Sequence, residues 1–124
     1  MTTTWTGDEL SRIGQTDELE IAPARGDGAR HAPLPVWFVR DGEDLFIRSF
    51  HGTQGIWYRA AATSHQGRVS GGGVAKDVTF VETDDPGVND RIDAAYRSKY
   101  GHFDPRYVEP LVAARGTTLK LVPR

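Results

Sequence analysis

Two apolar runs meet across Asp41-Gly42, and the second leaves no polar face. Residues 36–39 are continuously apolar, and in "EDLFIRSF" the odd positions Leu45 and Ile47 and the even positions Phe46 and Phe50 are apolar alike. Asp-Gly between such runs marks a tight hairpin, and a hairpin apolar on both sides needs cover on both sides. One side is expected to face the interior of a barrel. The other is expected to meet either a helix of the same chain or a second subunit, with a homodimer the more economical choice. Pro33 and Pro35 offer no N–H to a ladder, which puts the first half of the first run at a sheet edge or a bulge.

Turn and cap signals divide the rest of the chain. Thr6 with Glu9 is a capping-box pair, predicting a short helix over 7–13 that Gly14 stops. "DELEIAPAR" alternates Leu19, Ile21 and Pro23 with polar neighbours, the period of a half-buried strand, and "GDG" at 26–28 reads as a turn. A helix is expected to start near Ile56 in "GIWYRAAATS". Residues 68–70 and 74–83 read as strands joined through Gly71-Gly72-Gly73. Asp85-Pro86 is an N-cap and first-turn pair, and Val88, Ile92 and Ala95 follow helical spacing until Gly101. Asp104-Pro105 opens a further turn that Pro110 is expected to interrupt, and "TTLKLVP" closes the chain as a strand. Six strands with two or three helices in 124 residues, without repeat or linker, describe one β-rich α+β domain over 1–124. Closure into a six-stranded barrel disposes of exposed strand edges.

Composition then narrows the chemistry. The chain has no cysteine, which excludes disulfides, thiolate nucleophiles and cysteine zinc sites. His31, His51, His65 and His102 show no i, i+4 pairing, so no metal site is expected. The net charge is −2, and "MTTTWTGDEL" has neither a basic nor an apolar leader region. No apolar run approaches the roughly 20 residues that span a bilayer. A cytoplasmic protein is expected, with neither nucleic acid nor membrane as partner.

Charge is unevenly spread. Residues 45–76 contain no Asp or Glu but carry Arg48, Arg59, Arg68 and Lys76, while the remainder holds 11 basic and 17 acidic residues. Arg59 falls in the first turn of a predicted helix, where a cation opposes the macrodipole and free N–H groups attract anions. Arg48, Ser49, Gly52, Gly55 and those amides have the chemistry to converge on one phosphate-sized anion. Equally open is a structure in which Arg59 and Arg68 are solvated and Arg48 pairs with a carboxylate across the sheet.

"PLPVWFVRDGEDLFIRS" followed by "GTQGIWYRAA" resembles the split β-barrel superfamily of pyridoxamine-phosphate-oxidase-like flavin proteins and deazaflavin-dependent nitroreductases. With "AAYRSKYG" and "TTLKLVPR", the whole chain is similar to a family of small uncharacterised proteins within it. The resemblance implies a dimeric six-stranded split barrel with FMN or a deazaflavin coenzyme of the F-420 type at the subunit interface. It also implies a flavin- or deazaflavin-dependent oxidoreductase, nitroreductase-like, acting on a small organic molecule. Its cofactor-binding positions fall on Arg48, Ser49, Gly52, Trp57, Tyr58 and Arg59. Two features depart from the relatives' pattern: Thr53 and Gln54 stand without a loop lysine, and Ala60 and Ala61 replace an amide and a leucine after Trp57-Tyr58. A non-redox small-molecule enzyme or binding protein that reuses the groove is the alternative. Trp37, Trp57 and Tyr58 are the aromatic candidates beside a ring. His51 is the candidate acid or base, because its ordinary pKa suits proton transfer near neutrality.

Overall fold

The structure, a computed structural model, describes residues 4–24 and 29–124, so the turn expected at 26–28 lies outside the described residues. Its elements in chain order are α1 (Gly7–Gly14), β1 (Glu18–Pro23), β2 (Leu34–Asp41), β3 (Asp44–Ile47), α2 (Ile56–Ser64), β4 (Gln66–Gly71), β5 (Val74–Glu82), α3 (Pro86–Tyr100), α4 (Pro105–Ala113) and β6 (Leu119–Pro123). Single 3-10 turns at Gly52–Gln54 and Arg115–Thr117 precede α2 and β6. All six strands pair antiparallel in a closed barrel of order β1-β2-β3-β6-β5-β4, with β4 returning to β1.

Alternation along β2 and β3 separates two cores. Phe38, Leu45 and Ile47 point into the barrel with Leu19, Ile21, Val69, Val78, Phe80, Leu119 and Leu121, beneath Leu10 and Ile13 of α1. Val39 and Phe46 point outward against Ile92, Tyr96 and Tyr100 of α3 and Val108, Leu111 and Val112 of α4. The outward apolar face at Phe46 is thus covered by helices of its own chain, and it gives no reason for a second subunit.

Local signals account for the caps. Thr6 and Glu9 form the reciprocal box at α1, and Asp85 accepts from Val88 N to open α3 behind Pro86. Gly72 in the β4–β5 turn has φ 59°, and a Cβ there would lie 2.3 Å from the Arg12 carbonyl oxygen, so the hairpin tip seats on α1 only as glycine. The helix after Asp104 departs from expectation, because Pro110 lies inside α4 and does not end it. The carbonyl that Pro110 leaves without a donor belongs to exposed Arg106, where water can satisfy it, while buried Val108, Leu111 and Val112 hold the helix down.

β2 changes partner midway. Residues 34–37 pair with β1 and residues 38–41 with β3, so β3 ends at Ile47 opposite Phe38 and the first half of β2 keeps one open edge. Pro35 sits in that half, where its missing N–H is harmless. The chain leaving β3 runs beside this edge.

Candidate functional site

Arg48 is the first residue past β3, and it turns inward. Its Nε donates to Thr118 Oγ1 at 2.9 Å, Nη1 to Asp93 Oδ1 at 2.6 Å and to the Leu111 and Val112 carbonyls at 3.1 Å, and Nη2 to the Asn89 side chain at 2.9 Å and its carbonyl at 3.2 Å. The residue is 1% exposed. Every guanidinium N–H is engaged, so Arg48 does not hold a phosphate, and the expectation for this residue is corrected. A buried arginine must recover the solvation it loses. The α3 carboxylate, with the carbonyls at the end of α4, does so here. Asp93 also accepts from Arg115, which bridges to Asp90, and these carboxylates raise the Arg115 pKa.

Beyond Arg48 the chain forms a corner. Ser49 N donates to Thr117 Oγ1 at 3.0 Å, while Ser49 Oγ is buried without a hydrogen-bond partner. A Cβ on Gly55 would lie 2.4 Å from that oxygen, so the Ser49 hydroxyl rests against the N-cap of α2. Gly52, at φ 64°, makes the turn between them. No side chain caps α2, which leaves its first amides open as α-helix starts do. The residues present fit an anionic group at the positive end of α2, where the buried Ser49 hydroxyl fills the space over Gly55 and has no other partner.

Three cavities run along this corner and the open edge of β2. One of about 670 Å³ lies between His31 and Leu34 on one side and His51, Gln54, Gly55 and Trp57 on the other. A second, about 540 Å³, continues past Ile56 to Arg59, Thr63 and Ser64 and shares His31 with the first. A third, about 310 Å³, shares Leu34, His51 and Trp57 with the first and extends under Trp37 to Tyr107. Trp57 and Arg59 both line cavities. Tyr58 does not: its ring packs on the barrel core, its hydroxyl reaches the Gly116 carbonyl at 3.4 Å, and burial raises its pKa.

His31, Ile56 and Tyr107 were not read as site residues. His31 and His51 are twenty positions apart in sequence, and only the β1–β2–β3 register brings them to one cavity. Ile56 carried a readable signal, an apolar residue at the first turn of a helix, where cover is least available. Among the described residues no group of three or more metal-ligating side chains forms, and no helix is long and apolar enough to cross a membrane.

The sequence profile described as "Uncharacterized protein conserved in bacteria (DUF2255)" matches residues 9–121. The chain belongs to that family. No protein with a curated description matches it. Among solved structures it is similar to a provisional pyridoxamine 5′-phosphate oxidase from Listeria innocua, at 18% identity and a TM-score of 0.65 over 93% of this chain and 90% of that one. A haem storage protein, HutZ, from Vibrio cholerae is 15% identical with a TM-score of 0.66, over 100% and 92% of the two chains. An F420 reductase is 18% identical with a TM-score of 0.58, over 93% and 90%. The fold is that of the split-barrel proteins, as the resemblance implied.

Proposed function

We propose that the protein is a flavin- or deazaflavin-dependent oxidoreductase acting on a small organic molecule, with FMN or an F-420-type deazaflavin coenzyme in the groove beside α2. The observation that carries this reading is the corner itself: the partnerless Ser49 hydroxyl lies against the uncapped start of α2, and two cavities open beside it. A phosphate suits that corner because the helix end is positive. Arg59, which has no carboxylate partner among the described residues, supplies the cation that Arg48 does not. Trp57 offers an aromatic wall to a ring. Such a cofactor supplies hydride transfer, and the protein's part is to orient it and exclude water. His51, shared by two cavities, is placed to hold or accept a proton at its imidazole. The working form is proposed to be a homodimer, because Ile56 on this groove is 79% exposed and a second copy would cover it.

Separate titrations of FMN and the deazaflavin coenzyme, followed by flavin fluorescence, test the reading. One of them saturates, and Arg59→Ala weakens it by about 1–3 kcal/mol, the range for a charge-assisted hydrogen bond. Failure of both to bind overturns it. A second, non-redox reading rests on His31 and His51 facing one largely apolar cavity, and a haem storage protein shares the fold. It requires an imidazole-ligated Soret band on adding haemin, lost in the His51→Ala protein.

A further inference from the structure

We infer that the 310 Å³ cavity under the open edge of β2 is a subsite for small organic cations, of the methylated-ammonium or N-alkylated heteroaromatic class. Four aromatic side chains line it, Trp37, Phe50, Trp57 and Tyr107, out of only 3 Trp, 4 Tyr and 5 Phe in the chain. Phe50 and Tyr107 are 42% and 49% exposed, aromatic surface left uncovered beside a concavity. Trp37 is fixed in place, stacked flat on Tyr100 at 4.1 Å and tilted against Phe103 at 4.9 Å. That wall is therefore ready before any ligand arrives.

Charge decides what such a cavity selects. Its wall also holds Glu18, Arg48 and His51. The Arg48 charge is answered by Asp93 at 2.6 Å, whereas exposed Glu18 has no ion-pair partner among the described residues. A free carboxylate beside aromatic faces attracts a weakly hydrated cation and repels an anion, the electrostatics of an aromatic cage. The neighbouring corner at α2 has the opposite preference, and His51 and Trp57 form the wall between them. The inference extends the proposed function by naming a substrate class, and its test needs no cofactor, so either can fail alone.

The test titrates choline against its neutral carbon analogue, in which a tert-butyl group replaces the trimethylammonium, and follows tryptophan indole N–H signals in proton–nitrogen correlation spectra. Trp5 is the internal reference, because its buried Nε1 donates to the Leu121 carbonyl at 2.9 Å, away from the cavity. With choline the Trp37 and Trp57 signals shift and saturate while that of Trp5 stays. Choline binds roughly tenfold more tightly than the neutral analogue, and Glu18→Gln removes about threefold to tenfold of that preference without changing the analogue's affinity. Equal affinities, an undiminished preference in Glu18→Gln, or a Trp5 signal moving with the other two overturns the inference. An FMN titration of the same sample reports on the α2 corner separately.

Discussion

A guanidinium has five N–H donors and normally leaves several to water. Arg48 instead gives all of them to α3, α4 and the residue before β6, which makes it the tie between the barrel and its outer helices. Removing one partner of a buried pair strands the others without solvation, so Arg48→Met is expected to cost about 3–5 kcal/mol in urea unfolding. Arg59→Ala is expected to unfold within about 0.5 kcal/mol of the parent, since Arg59 is exposed and has no ion-pair partner among the described residues. A parent-like midpoint for Arg48→Met would refute the role given to it. The basic window around these arginines was legible in the sequence, but the direction each side chain takes was not. Asp93 is 45 residues from Arg48 in sequence, and no local pattern announces that α3 will bring a carboxylate there.

At the level of elements, α3 completes the ladder that β2 leaves open. The Tyr100 hydroxyl accepts from Phe38 N at 3.0 Å and faces the Phe38 and Asp17 carbonyls at 2.8 and 2.7 Å, standing where another strand would have stood. Tyr100→Phe is expected to cost about 1–3 kcal/mol by the same unfolding measurement, since it leaves a buried N–H unmatched. Lys99 on the same turn donates to the Phe38 carbonyl at 3.1 Å, and burial lowers its pKa from 10.5 to about 8 despite nearby Asp17. Below pH 8 both folded and unfolded chains hold that proton and the fold carries its desolvation cost. Between about 8 and 10.5 the folded state releases the proton first, so the unfolded state binds more and stability rises with pH. Relative to Lys99→Met, the parent's unfolding free energy should climb over that interval, and a flat difference would refute the shifted amine. Most elements were legible because their signals are local: the capping box, the Asp85-Pro86 start, the Gly-rich turn. The length of α4 was not, because whether Pro110 breaks a helix depends on what holds the residues after it, and that is tertiary.

At the scale of the molecule, the barrel closes but one strand edge does not, and three cavities collect along it. Barrel closure was readable from strand count and turn spacing. The groove was not, since it arises from β2 exchanging β1 for β3 midway, a matter of register. The same groove borders Phe50, Ile56 and Tyr107, three of the four exposed large hydrophobics among the described residues. Leaving an isoleucine 79% exposed on a helix start gives the monomer no benefit that a polar residue would not exceed. In the proposed dimer a second copy would bury Ile56, while Phe46 is already covered by α3 and α4. Sedimentation equilibrium at micromolar concentration is expected to show a dimer for the parent and a monomer for Ile56→Asp, with unchanged far-ultraviolet circular dichroism in both. A parent that stays monomeric would assign Ile56 to ligand contact alone, and would leave the cavities beside α2 to be closed by one chain.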